Sequence, residues 1–381
     1  MKFFVLSVLL CLNLTFSQTV YQSMESEVLG TTRELKIQLP RNYEDNSEKY
    51  YPLIVVFDGD YLFEVVAGNV DYYSYWEDMP EAIVVGVNQM DSRSDDCNIS
   101  IEDYLPSKTG ARFYDFIENE LTDYMNENFR SLNFRVAIGH GKTGNFMNYF
   151  LFSNRPVFNA FVALSPSLSS SMEENLTRRL GLEKDTKTFY YLSTATLDIK
   201  RNKKQIEELN IKISALENKS LLYAFDNFDD ANHYSLVAQS IPKALQSIFL
   251  IFQPISKSEY KDHILTLETS PVDYLTEKYA TIENLFGIKK QILVNDFRAI
   301  STAIEKTKNF GYFRDLGEIA REQRPNTVLG SFFMARYYEE TGKPEKAMNV
   351  YKSAYNLEEV GGYTKDDMFE KANQIKQEYG L

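Results

Sequence analysis

The chain has 381 residues, 44% of them hydrophobic, with 26 Tyr and 26 Phe, which is enough apolar material for a sizeable core in two domains or one large domain with an appendage. Its net charge of −13 argues against binding nucleic acid or an anionic membrane through the bulk field. The first segment, MKFFVLSVLLCLNLTFSQ, places Lys2 before an apolar run from Phe3 to Leu12 that is too short to anchor in a bilayer. Thr15-Phe16-Ser17 before Gln18 has the form of a small-x-small cleavage site. The expectation is a signal peptide over residues 1–17 and a secreted or periplasmic protein. Leu10 is too bulky for a lipoprotein signal ahead of Cys11. Cleavage would leave Cys97 as the one cysteine, so no internal disulfide is expected. No other stretch is apolar enough for a membrane span.

From about residue 30 to 250, strand and helix signals alternate. The apolar runs are Tyr51–Phe57, Ala82–Val87, Phe134–Ile138, Ala160–Leu164, Thr188–Ser193 and Leu221–Phe225. Runs apolar on both faces fit a parallel sheet buried between helices. Between them, Phe113, Phe116, Ile117, Leu121 and Met125 share one face at helical spacing. These signals predict a doubly wound α/β domain over residues 18–254, with its site at the carboxyl ends of the strands. After Pro254 helical periodicity takes over, which sets off residues 255–381 as an α-helical region. Within it Ala335, Tyr338, Gly342, Ala347, Tyr351 and Ala354 sit at tetratricopeptide (TPR-like) spacing. A plain amphipathic hairpin covering the sheet domain fits that segment equally well.

The stretch RVAIGHGKTGNF, residues 135–146, reads as a strand, a glycine-rich turn and a helix start. A phosphate loop would need glycine at position 136, and Val136 stands there. A nucleophile elbow, Gly-x-Ser-x-Gly, fits the strand–turn–helix context, and its nucleophile position falls on Gly141. The elbow residue usually has positive φ, which glycine adopts without a Cβ penalty.

Several segments together resemble one family of α/β hydrolases, the esterase family that includes enterochelin esterases, feruloyl esterases and S-formylglutathione hydrolases. Asp58-Gly59-Asp60-Tyr61-Leu62-Phe63, Ile83–Asn88 followed by Asp91–Asp95, the helix ending near Arg130, and Ala163-Leu-Ser-Pro-Ser-Leu168 carry the likeness over about residues 25–252. The family elbow reads GHSxGG; here Gly141 replaces its serine and Thr143 its second glycine. The resemblance implies the order acid then histidine downstream, which points to His233 and, more loosely, to Asp198, with Asp185 and Asp226 nearby. It also implies oxyanion donation by the main chain of Lys142 and of Gly59 or Asp60. His140 matches the residue before the nucleophile. Ser165 and Ser167 lie at a neighbouring strand end with no evident base. Tyr61, Phe63, Tyr72, Tyr73, Tyr75 and Trp76 are candidates to line a cleft.

The leading expectation is an esterase-type protein with impaired catalysis or a binding role, using no cofactor and no metal. The alternatives are an ester hydrolase with a substitute nucleophile or activated water, and a TPR-type scaffold. The expected partners are a small ester or acyl ligand and, through the C-terminal helices, a protein.

Overall fold

The computed structural model describes residues 19–381, so the signal-peptide reading of residues 1–17 lies outside the described residues. Eight strands form one sheet: β1 (Thr19–Ser26), β2 (Thr31–Gln38), β3 (Tyr51–Val56), β4 (Ile83–Val87), β5 (Ser131–His140), β6 (Ala160–Leu164), β7 (Thr188–Leu197) and β8 (Leu221–Asn232). Their order across the sheet is β1-β2-β4-β3-β5-β6-β7-β8. The run from β4 to β8 is parallel, whereas β1 pairs β2, and β2 pairs β4, antiparallel. The six apolar runs are β3 to β8. Strands β3, β4 and β6 are buried at every residue, as strands covered on both faces require. The sequence reading missed β1 and β2 as strands. β1, TVYQSMES, is the largely exposed edge strand, whereas β2, TTRELKIQ, lies between β1 and β4 and buries Leu35 to Gln38, with Lys36 and Gln38 breaking the apolar run.

Helices connect the parallel strands. They are α1 (Gly59–Tyr75), α2 (Arg93–Asp96), α3 (Thr109–Asp115), α4 (Thr122–Asn128), α5 (Lys142–Phe146), α6 (Met172–Gly181), α7 (Lys200–Ser214) and α8 (Leu236–Ile248). A π-helical segment, Phe116–Leu121, joins α3 to α4, and there the Thr122 hydroxyl donates to the Ile117 carbonyl. The five residues read as one helical face, Phe113, Phe116, Ile117, Leu121 and Met125, are each at most 1% exposed. Full burial of such a side chain contributes about 1.5–3 kcal/mol, so this face fixes the helix on the sheet.

Internal contacts divide the chain into two compact units. The first runs up to Tyr72 and includes Glu81–Ser131 and Arg135–Ala244; the second comprises Tyr73–Pro80, Leu132–Phe134 and Leu245–Leu381. The second is helical: α9 (Lys257–Asp262), α10 (Pro271–Phe286), α11 (Val294–Thr307), α12 (Tyr312–Gln323), α13 (Val328–Glu340), α14 (Pro344–Ser353) and α15 (Lys365–Tyr379). A Ser256/Glu259 capping box opens α9, and the Ser270 hydroxyl caps α10 ahead of Pro271. Helices α12 to α15 pack each against the next. Ala335, Ala347, Tyr351 and Ala354 are buried in the α13–α15 cluster, with Tyr338 packed against it.

Candidate active site

The carboxyl ends of the parallel strands bring together the residues that follow them. Gly141 follows β5, Ser165 follows β6, Asp198 follows β7 and His233 follows β8. Neighbouring strand ends are in register, His140 opposite Leu164 and Leu164 opposite Ser193. Residues 24 to 92 positions from Gly141 in sequence therefore meet in one place.

The turn between β5 and α5 is tightly built. A Cβ on Gly139 would come within 2.7 Å of the Thr143 backbone, so only glycine allows strand and helix this close. Gly141 has φ 58 and ψ −112, the positive-φ conformation expected of an elbow residue. Its N–H donates to the Leu164 carbonyl at 2.9 Å, and its carbonyl accepts from the Ser167 and Asn145 amides at 2.9 and 3.1 Å. A Cβ built on Gly141 would lie 3.5 Å from His233 Nε2, 3.6 Å from His233 Cε1 and 3.7 Å from Arg93 Nη2. A serine side chain placed there would meet an imidazole at contact distance.

His233 Nδ1 lies 3.0 Å from Asp198 Oδ1. The Asp198 carboxylate also accepts from the Ser165 hydroxyl (2.9 Å), the Thr194 hydroxyl (2.8 Å) and the Ile199 amide (2.7 Å). Burial opposes ionisation of Asp198, but hydrogen bonds from His233, Ser165, Thr194 and Ile199 outweigh it and hold the carboxyl below its ordinary value. An ionised carboxylate accepts only, so Nδ1 carries the proton and the Nε2 lone pair faces the Gly141 turn.

Ser165 lies beside the imidazole, a neighbour that the sequence reading did not give it. Its Oγ is 2.9 Å from His233 Nδ1 as well as from Asp198 Oδ1. The residue is fully buried and has φ 40, and the Asn202 side-chain amide donates to its carbonyl. Its partner on the imidazole is Nδ1, the nitrogen turned away from Gly141, and its proton goes to Asp198. It is placed to hold the acid and the histidine, not to attack. The histidine comes from 68 residues further on, so no local signal in LSPSL could have revealed the contact.

A second network lies under the turn. Arg93 binds Asp58 in bidentate fashion, Nε to Oδ1 at 2.6 Å and Nη2 to Oδ2 at 2.9 Å, and donates to the His140 carbonyl at 2.9 Å. The Thr143 hydroxyl donates to Asp58 Oδ2 at 2.7 Å and accepts from the His140 amide at 3.0 Å. Thr143, which departs from the family pattern, thus ties the elbow to Asp58. His140 is buried, with Nε2 2.9 Å from the His233 carbonyl and Nδ1 2.9 Å from the Tyr61 hydroxyl. Desolvation and the nearby His233 push its pKa down to about 4, so it is neutral at pH 7, and its Nε2–H donates to the His233 carbonyl.

Lys142 opens α5, and its ammonium donates to Ser94 Oγ at 3.2 Å. Gly59 and Asp60 open α1. All three residues contribute main-chain N–H groups from first helical turns, which lack intrahelical acceptors. The Asp60 carboxylate accepts from the Gln89 and Met90 amides and shapes the loop after β4. Of the aromatics considered for a cleft, Tyr61 reaches the site, Phe63 is buried against Gly86, and Tyr75 and Trp76 are exposed at the other end of α1. Among the described residues, no group of three or more His, Cys, Asp and Glu side chains is arranged to hold a metal, and no helix is long and apolar enough to cross a membrane.

A family model described as "Putative esterase" matches residues 26–237. Among solved structures, an uncharacterised protein from Capnocytophaga ochracea DSM 7271 is similar at 29% identity and TM-score 0.83, covering 94% of this chain and 100% of that one. An IroE-like serine hydrolase from Shewanella oneidensis is similar at 20% identity and TM-score 0.59, covering 80% and 99%. A siderophore hydrolase, EstB, from Aspergillus nidulans is similar at 17% identity and TM-score 0.50, covering 65% and 97%. The last two likenesses are of fold. No curated protein gives a significant match.

Proposed function

The chain belongs to the "Putative esterase" family, and from that premise we propose that it is an ester-binding α/β-hydrolase-fold protein whose route through an acyl-serine is closed at Gly141. One observation carries this reading. Gly141 holds the backbone geometry of a nucleophile elbow, φ 58 and ψ −112, with His233 Nε2 3.5 Å from the position of its absent Cβ. In this reading Asp198 orients His233, His233 is the base, and the amides of Lys142 and of Gly59 or Asp60 receive the carbonyl oxygen. Loss of one member of such a set leaves about 10³–10⁴-fold catalysis over water, far below a working esterase.

The test is p-nitrophenyl acetate hydrolysis by the wild type, Gly141→Ser and the double variant Gly141→Ser/His233→Ala. The expected result is a gain of about 10²-fold or more in Gly141→Ser, lost again in the double variant. Wild-type turnover at ordinary esterase rates would refute the reading.

Secretion rests on the sequence of residues 1–17 and is proposed with it. The expected mature protein starts at Gln18, and a retained Met1 in material recovered from the native host would contradict it.

A further inference from the structure

We propose that β1 pairs antiparallel with the β1 of a second copy of this chain, joining the two sheets edge to edge about a twofold axis at Gln22. The sheet ends in β1 on one side and in β8 on the other, and the two edges are built differently. β8 carries Asp226, Asp229 and Asp230, and its register with β7 breaks between Ala195 and Leu197. Charge and irregularity are the usual devices that keep a sheet edge from pairing with another chain. β1 has neither over most of its length. All of its residues pair with β2 in one unbroken register, from Thr19 opposite Gln38 to Ser26 opposite Thr31. It holds no proline, lysine or arginine, and Glu25 is its one charge. Val20 is 41% exposed and Tyr21 70% exposed. Among the described residues no strand pairs with its outer edge. A regular, proline-free edge with exposed apolar side chains is one that native proteins cover.

The pattern along β1 selects a second β1 as the cover. Side chains alternate between faces, so Val20, Gln22 and Met24 share one face, and Tyr21, Ser23 and Glu25 the other. Gln22 and Met24 are half-buried, and Met24 packs against the core. An antiparallel partner sets like face beside like face. With the twofold at Gln22, Val20 meets the second copy's Met24, Tyr21 its Ser23 and Glu25 its Thr19. Apolar then meets apolar on the half-covered face, and no charge stands opposite a like charge. Parallel pairing in register would set Glu25 against Glu25. Moving the axis to Ser23 would place Glu25 opposite Tyr21 and lose the pairing of Val20 with Met24. The strand is therefore complementary to itself in the antiparallel sense, which is what a twofold dimer requires. Such pairing uses both β1 edges and leaves the acidic β8 edges outside, so assembly stops at two copies.

The experiment expresses the full chain with its own first residues and uses the protein the cell makes from it. One strand on each side is a small contact, so a dimer in roughly the micromolar range is expected, and sedimentation velocity from about 1 to about 300 µM brackets it. The wild type is expected to move with concentration to twice the monomer mass and no further. Val20→Lys guards the edge with a charge at an exposed position and is expected to weaken the dimer about 10-fold or more. Leu182→Lys, at another exposed apolar position, is expected to leave it unchanged. Circular dichroism establishes that both variants are folded.

A short bismaleimide then reads the register in a Cys11→Ser background, in which Cys97 is buried. Gln22→Cys is expected to link two copies. Glu25→Cys is not, because six residues of antiparallel strand hold those two cysteines about 20 Å apart. A wild type that stays monomeric over the whole range overturns the proposal, and so does a dimer indifferent to Val20→Lys. Equal linking through Gln22→Cys and Glu25→Cys would overturn the antiparallel pairing.

Discussion

Two adjacent turns of the sheet unit resolve the same geometric demand in opposite ways. At the end of β5 the chain enters positive φ at Gly141, where glycine bears no strain. At the end of β6 it does so at Ser165, φ 40, where an L side chain costs about 1–2 kcal/mol. The first turn carries no side chain. The second keeps a strained, fully buried one whose hydroxyl binds Asp198 and lies beside His233. Asp198 and Ser165 thus hold the Nδ1 side of the imidazole, while Gly141, on the Nε2 side, projects no side chain toward it. Strain persists where surrounding contacts over-determine it, and Ser165 is fixed by Asp198, His233 and Asn202.

That contrast can be broken at several points. The largest effect is expected at the acid. In a Gly141→Ser background, Asp198→Asn is expected to lower kcat for p-nitrophenyl acetate about 10³–10⁴-fold, because an amide partner no longer enforces protonation at Nδ1. An unchanged kcat would remove Asp198 from the scheme.

Next comes pH. The folded chain holds His140 near pKa 4 against 6.5 for the free side chain. Below pH 6.5 the unfolded chain binds a proton there that the folded chain refuses until about pH 4. Folding stability should therefore fall as pH drops through that window, by at most roughly 3 kcal/mol from this residue. Urea titrations at pH 7 and pH 4.5, compared with those of His140→Asn, read the difference. Equal slopes in the two proteins would contradict the burial argument.

Ser165→Ala should cost about 1.5–3 kcal/mol in urea unfolding, since it removes a hydrogen bond to a buried carboxylate. Ser165→Gly should recover about 1 kcal/mol of that loss by relieving the positive φ. If Ser165→Gly is no more stable than Ser165→Ala, the turn is not strained in the way described. The smallest effect is expected at Gly141→Ala, about 1–2 kcal/mol, from backbone conformation alone, because its methyl meets nothing nearer than 3.5 Å. A much larger loss would mean the space beside Gly141 is more crowded than these distances allow.

How far the site was legible depended on locality. Gly141 directly follows the apolar run of β5, whereas Asp198 and His233 lie beyond the ends of the apolar runs Thr188–Ser193 and Leu221–Phe225 and were indicated by the family resemblance, Asp198 loosely with Asp185 and Asp226 left open. The helical face from Phe113 to Met125 was legible for a similar reason, since periodicity reports burial. Ser165 was not, because what distinguishes it is a contact with a histidine 68 positions away and a backbone angle that no composition reveals. The role of Thr143 was hidden too, as its partner Asp58 is 85 positions upstream. β1 escaped notice because a half-solvated edge strand lacks the continuous apolar run that marked the interior strands, and β2 because Lys36 and Gln38 interrupt its buried stretch.

In the proposed site the elbow lacks a single side chain and is otherwise complete. Intact-mass analysis after treatment with a fluorophosphonate tests it most directly. No adduct is expected on the wild type, one adduct on Gly141→Ser mapping to position 141, and its loss in Gly141→Ser/His233→Ala. An unlabelled but folded Gly141→Ser protein, or a wild-type adduct mapping to Ser165, would contradict it.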